Sequence, residues 1–249
     1  CCKDIHGKKV RFRSVDSVIN EVKEIKSKYN IHSFLFYDDI FTLNRKRLSS
    51  LCNKLKELNI NFRCNGRAGI NTFEDYQNLY KAGCREIAFG IESGNQLILN
   101  KVNKGTTVQQ NIESIQNAKK AGLITKAYLI VGYPGETRET INDTKKFIDI
   151  ANPDKFTVFM FVPLPGCDVW KYPEKYGITY LSKDWDQYFN IAGQYEGGIT
   201  FKTKDLDSNK IKELHDDLVS YLLNRKENYG QRGNLQNYYD KLFLNPRKE

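Results

Sequence analysis

Apolar residues recur at helical spacing in several segments. In Val15–Tyr29, Val18, Val22 and Ile25 fall on one face, and in residues 45–58 Leu48, Leu51, Leu55 and Leu58 do the same. Further helices are predicted at 72–82, 108–120 and 137–151. Thr72 caps the first of these with Asp75 three residues on, and Gly83 ends it. Gly122 stands just beyond the second, where a left-handed turn favours glycine. Between the helices lie short apolar or aromatic runs at 33–37, 60–64, 86–91, 125–131 and 155–162. They read as five strands, several of them apolar on both faces, which indicates a parallel sheet. Strand-to-strand spacing of roughly 25–40 residues suits βαβ crossovers. The expected fold is α/β, a parallel sheet curled into a partial or full barrel. A flat doubly wound sheet is the alternative, but no Gly-x-Gly-x-x-Gly follows any strand. After Gly166 the pattern changes. Residues 170–194 are aromatic and irregular. Residues 208–229 form one amphipathic helix (Ile211, Leu214, Leu218, Leu222) that caps the barrel or meets a partner. The tail 230–249 is polar, with Tyr238, Tyr239 and Phe243. We therefore expect a core over 1–166 and an accessory, substrate-side region over 167–249.

Charge and cysteine usage refine this picture. The net charge is +9, from 39 basic and 30 acidic residues. Lysine is spread along every helix, so a solvated surface explains it better than nucleic-acid binding. An anionic substrate or membrane surface stays open. No apolar run approaches bilayer-spanning length. Of the six cysteines, Cys52, Cys64 and Cys84 sit in apolar contexts and read as reduced core thiols. The expected compartment is the reducing cytoplasm. The first residue is Cys rather than Met, and the chain reads as an excerpt whose start is missing.

Candidate chemistry gathers at the strand ends, where loops surround the mouth of a parallel barrel. Asp38 and Asp39 follow the first run. Asn65, Gly66 and Arg67 follow the second. Glu92, Ser93 and Gly94 follow the third. The fourth is followed by Gly132, Tyr133, Pro134, Gly135 and Glu136, and the fifth by Pro163, Leu164, Pro165 and Gly166. Carboxylates, a guanidinium and permissive backbone sharing one mouth suit a zwitterionic cofactor with amine, carboxylate, ribose and base. Each piece also has a structural reading. Asp38 or Asp39 could cap the next helix, Arg67 and Lys104 could be solvated, and Gly132 and Gly135 could simply turn the chain.

Taken in order over residues 1–166, CCKDIHGKKVRFRS, YDDIFTLNRKRL, CNGRAGI, AGCREIAFGIESGNQLIL, NKGTT, GYPGET and VPLPG resemble the radical S-adenosylmethionine superfamily. The resemblance is strongest to its cobalamin-dependent branch, whose members carry an upstream cobalamin-binding domain. It implies a partial TIM-type (β/α)6 barrel lacking its first strand, with a mainly helical C-terminal extension. It implies a 4Fe–4S cluster on a Cys-x-x-x-Cys-x-x-Cys loop. By that register Cys1 is the third thiolate ligand, Cys2 is a bystander, and two further cysteines precede residue 1. Such a truncated chain should not assemble a normal cluster by itself.

The same resemblance assigns roles around S-adenosylmethionine. Asp38 or Asp39 would accept from its amine, a charge-assisted bond. Glu92, with Ser93 beside it, would serve the ribose or amine, and Lys104 the carboxylate. Arg67 would serve the ribose side. The loop at Gly132 and Pro134 would offer backbone to the adenine, and Pro163–Gly166 would shape the base pocket. Cys167 stands where relatives often have Thr and reads as a plain substitution. The implied activity is reductive cleavage of S-adenosylmethionine to a 5′-deoxyadenosyl radical. It would use a reductant such as flavodoxin or ferredoxin, and would serve methylation or another C–H transformation of an unknown substrate. A tRNA-modifying, methylthiotransferase-like enzyme and a non-catalytic scaffold are the alternatives.

Overall fold

Side-chain caps set where each helix begins. Ser14 accepts from the N–H of Ser17 to start α1 (Val15–Tyr29), and Asn30 ends it in left-handed geometry. Asn44, not Asp38 or Asp39, caps α2 (Arg45–Lys56). Thr72 and Asp75 form a reciprocal capping box at α3 (Phe73–Lys81). Arg45 reaches Asp75 from α2 at 2.8 Å, so one carboxylate ties two helices together. Although burial works against the charge, the Thr72 N–H and this guanidinium hold the Asp75 carboxyl below its ordinary range.

The computed structural model describes residue 7, residues 9–188 and 200–225, and the backbone of residues 190, 191, 194 and 195. Cys1, Cys2 and the tail with Tyr238, Tyr239 and Phe243 lie outside the described residues. One five-stranded sheet dominates, in the order β1 (Ser33–Leu35), β2 (Asn61–Gly66), β3 (Cys84–Glu92), β4 (Ile124–Val131) and β5 (Lys155–Met160). Every neighbouring pair is parallel. The connecting helices include α4 (Gln96–Lys101), α5 (Val108–Lys120) and α6 (Arg138–Ala151). The result is the expected half-barrel of the α/β class, with a helical layer on its convex side.

That convex side is the core. Phe62, Cys64, Ile87, Phe89, Ala127, Leu129 and Val158 pack there against Leu51, Leu55, Tyr76, Ile115, Ile141 and Ile148 of the helices. Cys52, Cys64 and Cys84 are buried and free. The sulfurs of Cys64 and Cys84 lie 3.9 Å apart. Their hydrogen bond and their burial push the Cys64 thiol up. The concave side differs from the expectation of strands apolar on both faces. Along β4 the residues alternate between fully buried and half-buried, with Lys126, Tyr128 and Ile130 on the open side. The concave face of a half-barrel has no helix layer over it, so polar residues are tolerated there.

The strands also shift relative to expectation. β1 is shorter, β2 runs on through Asn65 and Gly66, and β3 takes in Glu92 as its last residue. Six-residue α4 was invisible to periodicity; its start is the Asn95 cap. The irregular aromatic stretch contains α7 (Asp168–Lys171) and β6 (Ile178–Leu181). β6 pairs antiparallel with β9 (Phe201–Thr203), while β7 (Asn190–Ile191) pairs with β8 (Gln194–Tyr195). The Trp170 ring stacks on Trp185 at 5.5 Å. The last described helix, α8 (Ser208–Asn224), docks on α6, β4 and β5. Its Ile211, Leu214, Leu218 and Leu222 join the same core. Lys145 binds both carboxylate oxygens of Asp217 at 2.8 Å across this contact. Of the two placements expected for this helix, the structure thus shows the one against the barrel. No helix among the described residues is long and apolar enough to cross a membrane.

Candidate functional site

The end of β3 is irregular. Its register against β4 shifts between Gly90 and Glu92. Glu92 has φ of 67°, left-handed geometry that a side chain adopts only at a cost of about 1–2 kcal/mol. The bulge brings its carboxylate back across Gly90. A methyl group on Gly90 would lie 2.7 Å from Glu92 Oε1 and 3.0 Å from Lys104 Nζ, so a bare Cα is what leaves room for both. The Lys104 ammonium donates to Glu92 Oε1 at 2.7 Å, with the two side chains 19% and 18% exposed.

Lys104 is held by the turn after α4. Its N–H bonds the Leu99 carbonyl at 3.0 Å, and the flanking Asn103 and Gly105 are both left-handed. From the end of β2, the Arg67 guanidinium donates to the Lys104 carbonyl at 2.6 Å. Glycine at 105 matters here, because a methyl would stand 3.1 Å from that guanidinium. Three of the sequence candidates, Arg67, Glu92 and Lys104, are therefore brought together.

The loop after β4 closes one side. Gly132, with φ of 97°, donates its N–H to the Glu136 carboxylate. The Glu136 N–H returns to the Tyr133 carbonyl at 2.9 Å. Burial pushes the Glu136 carboxyl up to about 7, against the opposing help of the Gly132 and Tyr133 N–H groups. Tyr133 is buried, its ring 4.8 Å from Phe161. Burial, and then the charges of Glu92 and Glu136, raise its phenol above the ordinary range. Pro134 and Pro163, in the loops after β4 and β5, are each buried. Ile211 of α8 seats on Gly132, where a methyl would meet it at 2.9 Å.

Other candidates stand elsewhere. Asp38 and Asp39 are exposed on the turn after β1, two strands from β3, where Asn65 donates to the Asp38 carbonyl at 3.1 Å. Ser93 turns away from the pair. It is 1% exposed, and its hydroxyl accepts from the Asn95 N–H and lies 3.4 Å from that of Thr144. It sews the loop to α6 from the side opposite Glu92, as successive residues of a strand face opposite ways. Gly90, Tyr133 and Glu136 were not assigned roles from the sequence. A glycine inside a strand is the signal that could have found Gly90.

A carboxylate and an ammonium side by side fit the amine and carboxylate of an amino-acid zwitterion, since each can exchange its present partner for the ligand's opposite charge. Among the described residues no group of three or more His, Cys, Asp or Glu is placed to hold a metal ion.

The chain is 32% identical over 210 residues to an uncharacterized methyltransferase of Pyrococcus horikoshii, covering 84% of this chain and 44% of that protein. It is 33% identical to the anaerobic magnesium-protoporphyrin IX monomethyl ester cyclase of Rubrivivax gelatinosus, over 65% of this chain and 30% of that one. It thus spans less than half the length of these curated relatives. In fold it is similar to the radical S-adenosylmethionine methyltransferase TsrM of Kitasatospora setae, solved with cobalamin and a 4Fe–4S cluster bound. The TM-score is 0.58 at 19% identity, over 66% of this chain and 32% of that one. It is equally similar to coproporphyrinogen III oxidase (HemN) of Escherichia coli, a radical S-adenosylmethionine enzyme. That TM-score is also 0.58, at 15% identity, over 87% of this chain and 48% of that one. The profile of the Radical SAM superfamily matches residues 1–148, and the chain belongs to that superfamily.

Proposed function

We propose that the protein carrying this chain cleaves S-adenosylmethionine reductively and uses the resulting radical for methylation or another C–H transformation. The observation that carries this reading is the Glu92–Lys104 pair held at the barrel mouth over Gly90. Glu92 takes the amine of S-adenosylmethionine and Lys104 its carboxylate. Arg67 steadies the Lys104 turn and serves the ribose side. Asp38 or Asp39 adds a second carboxylate from across the mouth. Gly132 and Pro134 offer the adenine a backbone edge, and Pro163 bounds the base. When bound, a reduced 4Fe–4S cluster supplies the electron that breaks the sulfonium C–S bond, leaving methionine and the 5′-deoxyadenosyl radical. Cys1 would be one thiolate ligand, with two more cysteines upstream.

Finer expectations belong to the same reading. Similarity to a cobalamin-bound methyltransferase supports an upstream cobalamin-binding domain. Residues 167–249 would form the substrate-side cover, for which the Trp170–Trp185 stack offers an aromatic surface. A flavodoxin or ferredoxin would deliver the electron. Buried thiols that stay free favour a reducing cytoplasm. The described relatives are a methyltransferase and a cyclase, which does not favour the tRNA-modifying or scaffold readings.

The test is anaerobic reconstitution of the full-length protein, followed by dithionite and S-adenosylmethionine. 5′-Deoxyadenosine is expected, and Glu92→Ala should weaken S-adenosylmethionine binding about tenfold or more. A clustered protein that forms none, with Glu92→Ala binding as tightly as wild type, would sink the proposal.

A further inference from the structure

The concave face carries charge that the mouth does not use. In the sheet register Arg63 lies beside Glu86, Ala88 beside Lys126, and Lys126 beside Lys155. Residues in register on parallel strands face the same way, and so do residues two apart on one strand. Arg63, Glu86, Lys126 and Lys155 therefore share the concave side, where three cations meet one carboxylate. Lys155 takes that carboxylate: its Nζ is 2.7 Å from Glu86 Oε2, with the side chains 10% and 2% exposed.

Lys126 is left in a costly position. Its cross-strand neighbour Lys155 has the same charge, a pairing that ordinarily destabilises a sheet. Ala88, on its other side, offers no countercharge. Among the described residues Lys126 makes no hydrogen bond or ion pair, and its Nζ stands 5.0 Å from the centroid of the Tyr128 ring. Burial lowers its pKa first; Glu86 opposes this, and the charges of Arg63 and Lys155 add to it. No side-chain hydrogen bond satisfies Arg63 among the described residues either. Cations kept half-buried at a cost to stability are what an anion-binding floor requires in the absence of its anion.

We propose that Lys126 and Arg63 hold an oxyanion of the substrate, a carboxylate or a phosphate, on the floor of the half-barrel. This rests on the reading that S-adenosylmethionine occupies the mouth. Lys126 is level with Ala88, four strand residues before Glu92, which is about 13 Å down the sheet. A small acid anchored there places its far end beneath the mouth.

The test uses the reconstituted full-length protein and two probes, inorganic pyrophosphate and citrate, followed by calorimetry at low salt. Saturable binding is expected. Lys126→Met and Arg63→Met should each weaken it about tenfold or more, whereas the same charge removal at exposed Lys56 should leave it unchanged. The tighter probe assigns the class, phosphate or carboxylate. Without any anion, Lys126→Met should melt at or above the wild-type temperature, because it removes a strained cation. The proposal is overturned if neither probe saturates, if Lys56→Met weakens binding as much as Lys126→Met, or if Lys126→Met lowers the melting temperature. S-adenosylmethionine affinity, measured on the same variants, should not change. Wild-type protein that binds the probes but not S-adenosylmethionine would remove the proposed function and leave the oxyanion site standing.

Discussion

The carboxylate of Glu92 and the ammonium of Lys104 meet at 2.7 Å over the bare Cα of Gly90. The two residues are twelve positions apart, and the bulge at the end of β3 and the turn after α4 bring them together. Gly90→Ala tests how much that clearance matters. The new methyl collides with both charged groups, while the strand backbone accepts alanine. S-adenosylmethionine affinity should fall about tenfold, as for losing a charged hydrogen bond, with melting little changed. Equilibrium dialysis of the full-length protein against S-adenosylmethionine reads this directly. Unchanged affinity would mean the pair is not the contact.

Glu92 stores strain in its left-handed backbone, and strain of this kind concentrates at functional positions. Two substitutions separate the backbone from the carboxylate. Both Glu92→Gly and Glu92→Ala lose the ion pair, but only glycine relaxes the positive φ. The glycine variant should therefore be the more stable by roughly 1 kcal/mol in urea unfolding. Equal stabilities would show that the backbone bears no such cost.

Glu136 predicts a pH dependence. Its carboxyl is raised by burial from 4.5 to about 7. Between those values the folded chain keeps a proton that the unfolded chain has lost, so stability falls as pH rises through the window and stays lower above it. At about 1.4 kcal/mol per unit, the contribution is on the order of 3 kcal/mol. Glu136→Gln keeps an oxygen for the Gly132 N–H and cannot titrate. The variant should melt higher than wild type at pH 8, with the gap closing by pH 5. Parallel melting curves across that range would exclude Glu136 as the cause.

Gly94 predicts a packing failure of a different kind. A methyl there would lie 2.6 Å from both the Thr144 Cα and the Phe147 Cβ. The Gly94 N–H also donates to the Thr144 hydroxyl at 3.0 Å. Backbone cannot give way as a flexible side chain does, so Gly94→Ala should destabilise by about 2–3 kcal/mol in urea unfolding. A loss of only a few tenths would mean that the loop lifts off α6.

Much of the architecture can be read along the chain because its signals are local. The Thr72–Asp75 cap, the glycine after residue 121 and the alternation of helix with apolar run depend on near neighbours only. The strand-end positions of Arg67, Glu92 and Gly132 follow from the same alternation. Asp38 and Asp39 show the limit. Either could have capped α2 on sequence grounds, yet Asn44 does so, because the chain makes a further turn before the helix starts. α4 has six residues, too few for a helical period to emerge.

By itself the sequence determined the order of elements, their caps, and the set of polar groups at the ends of the strands. Periodicity and capping act over a few residues, so these survive without a fold. Only the tertiary structure decided which of those groups meet. At the irregular end of β3 the Glu92 carboxylate meets Lys104, while Ser93 lies against Thr144 of α6. The register of β4 against β5 set Lys126 beside Lys155, and the concave side of the sheet left Lys126 half-buried. Register and curvature arise from packing between distant segments, and no window of the chain encodes them alone.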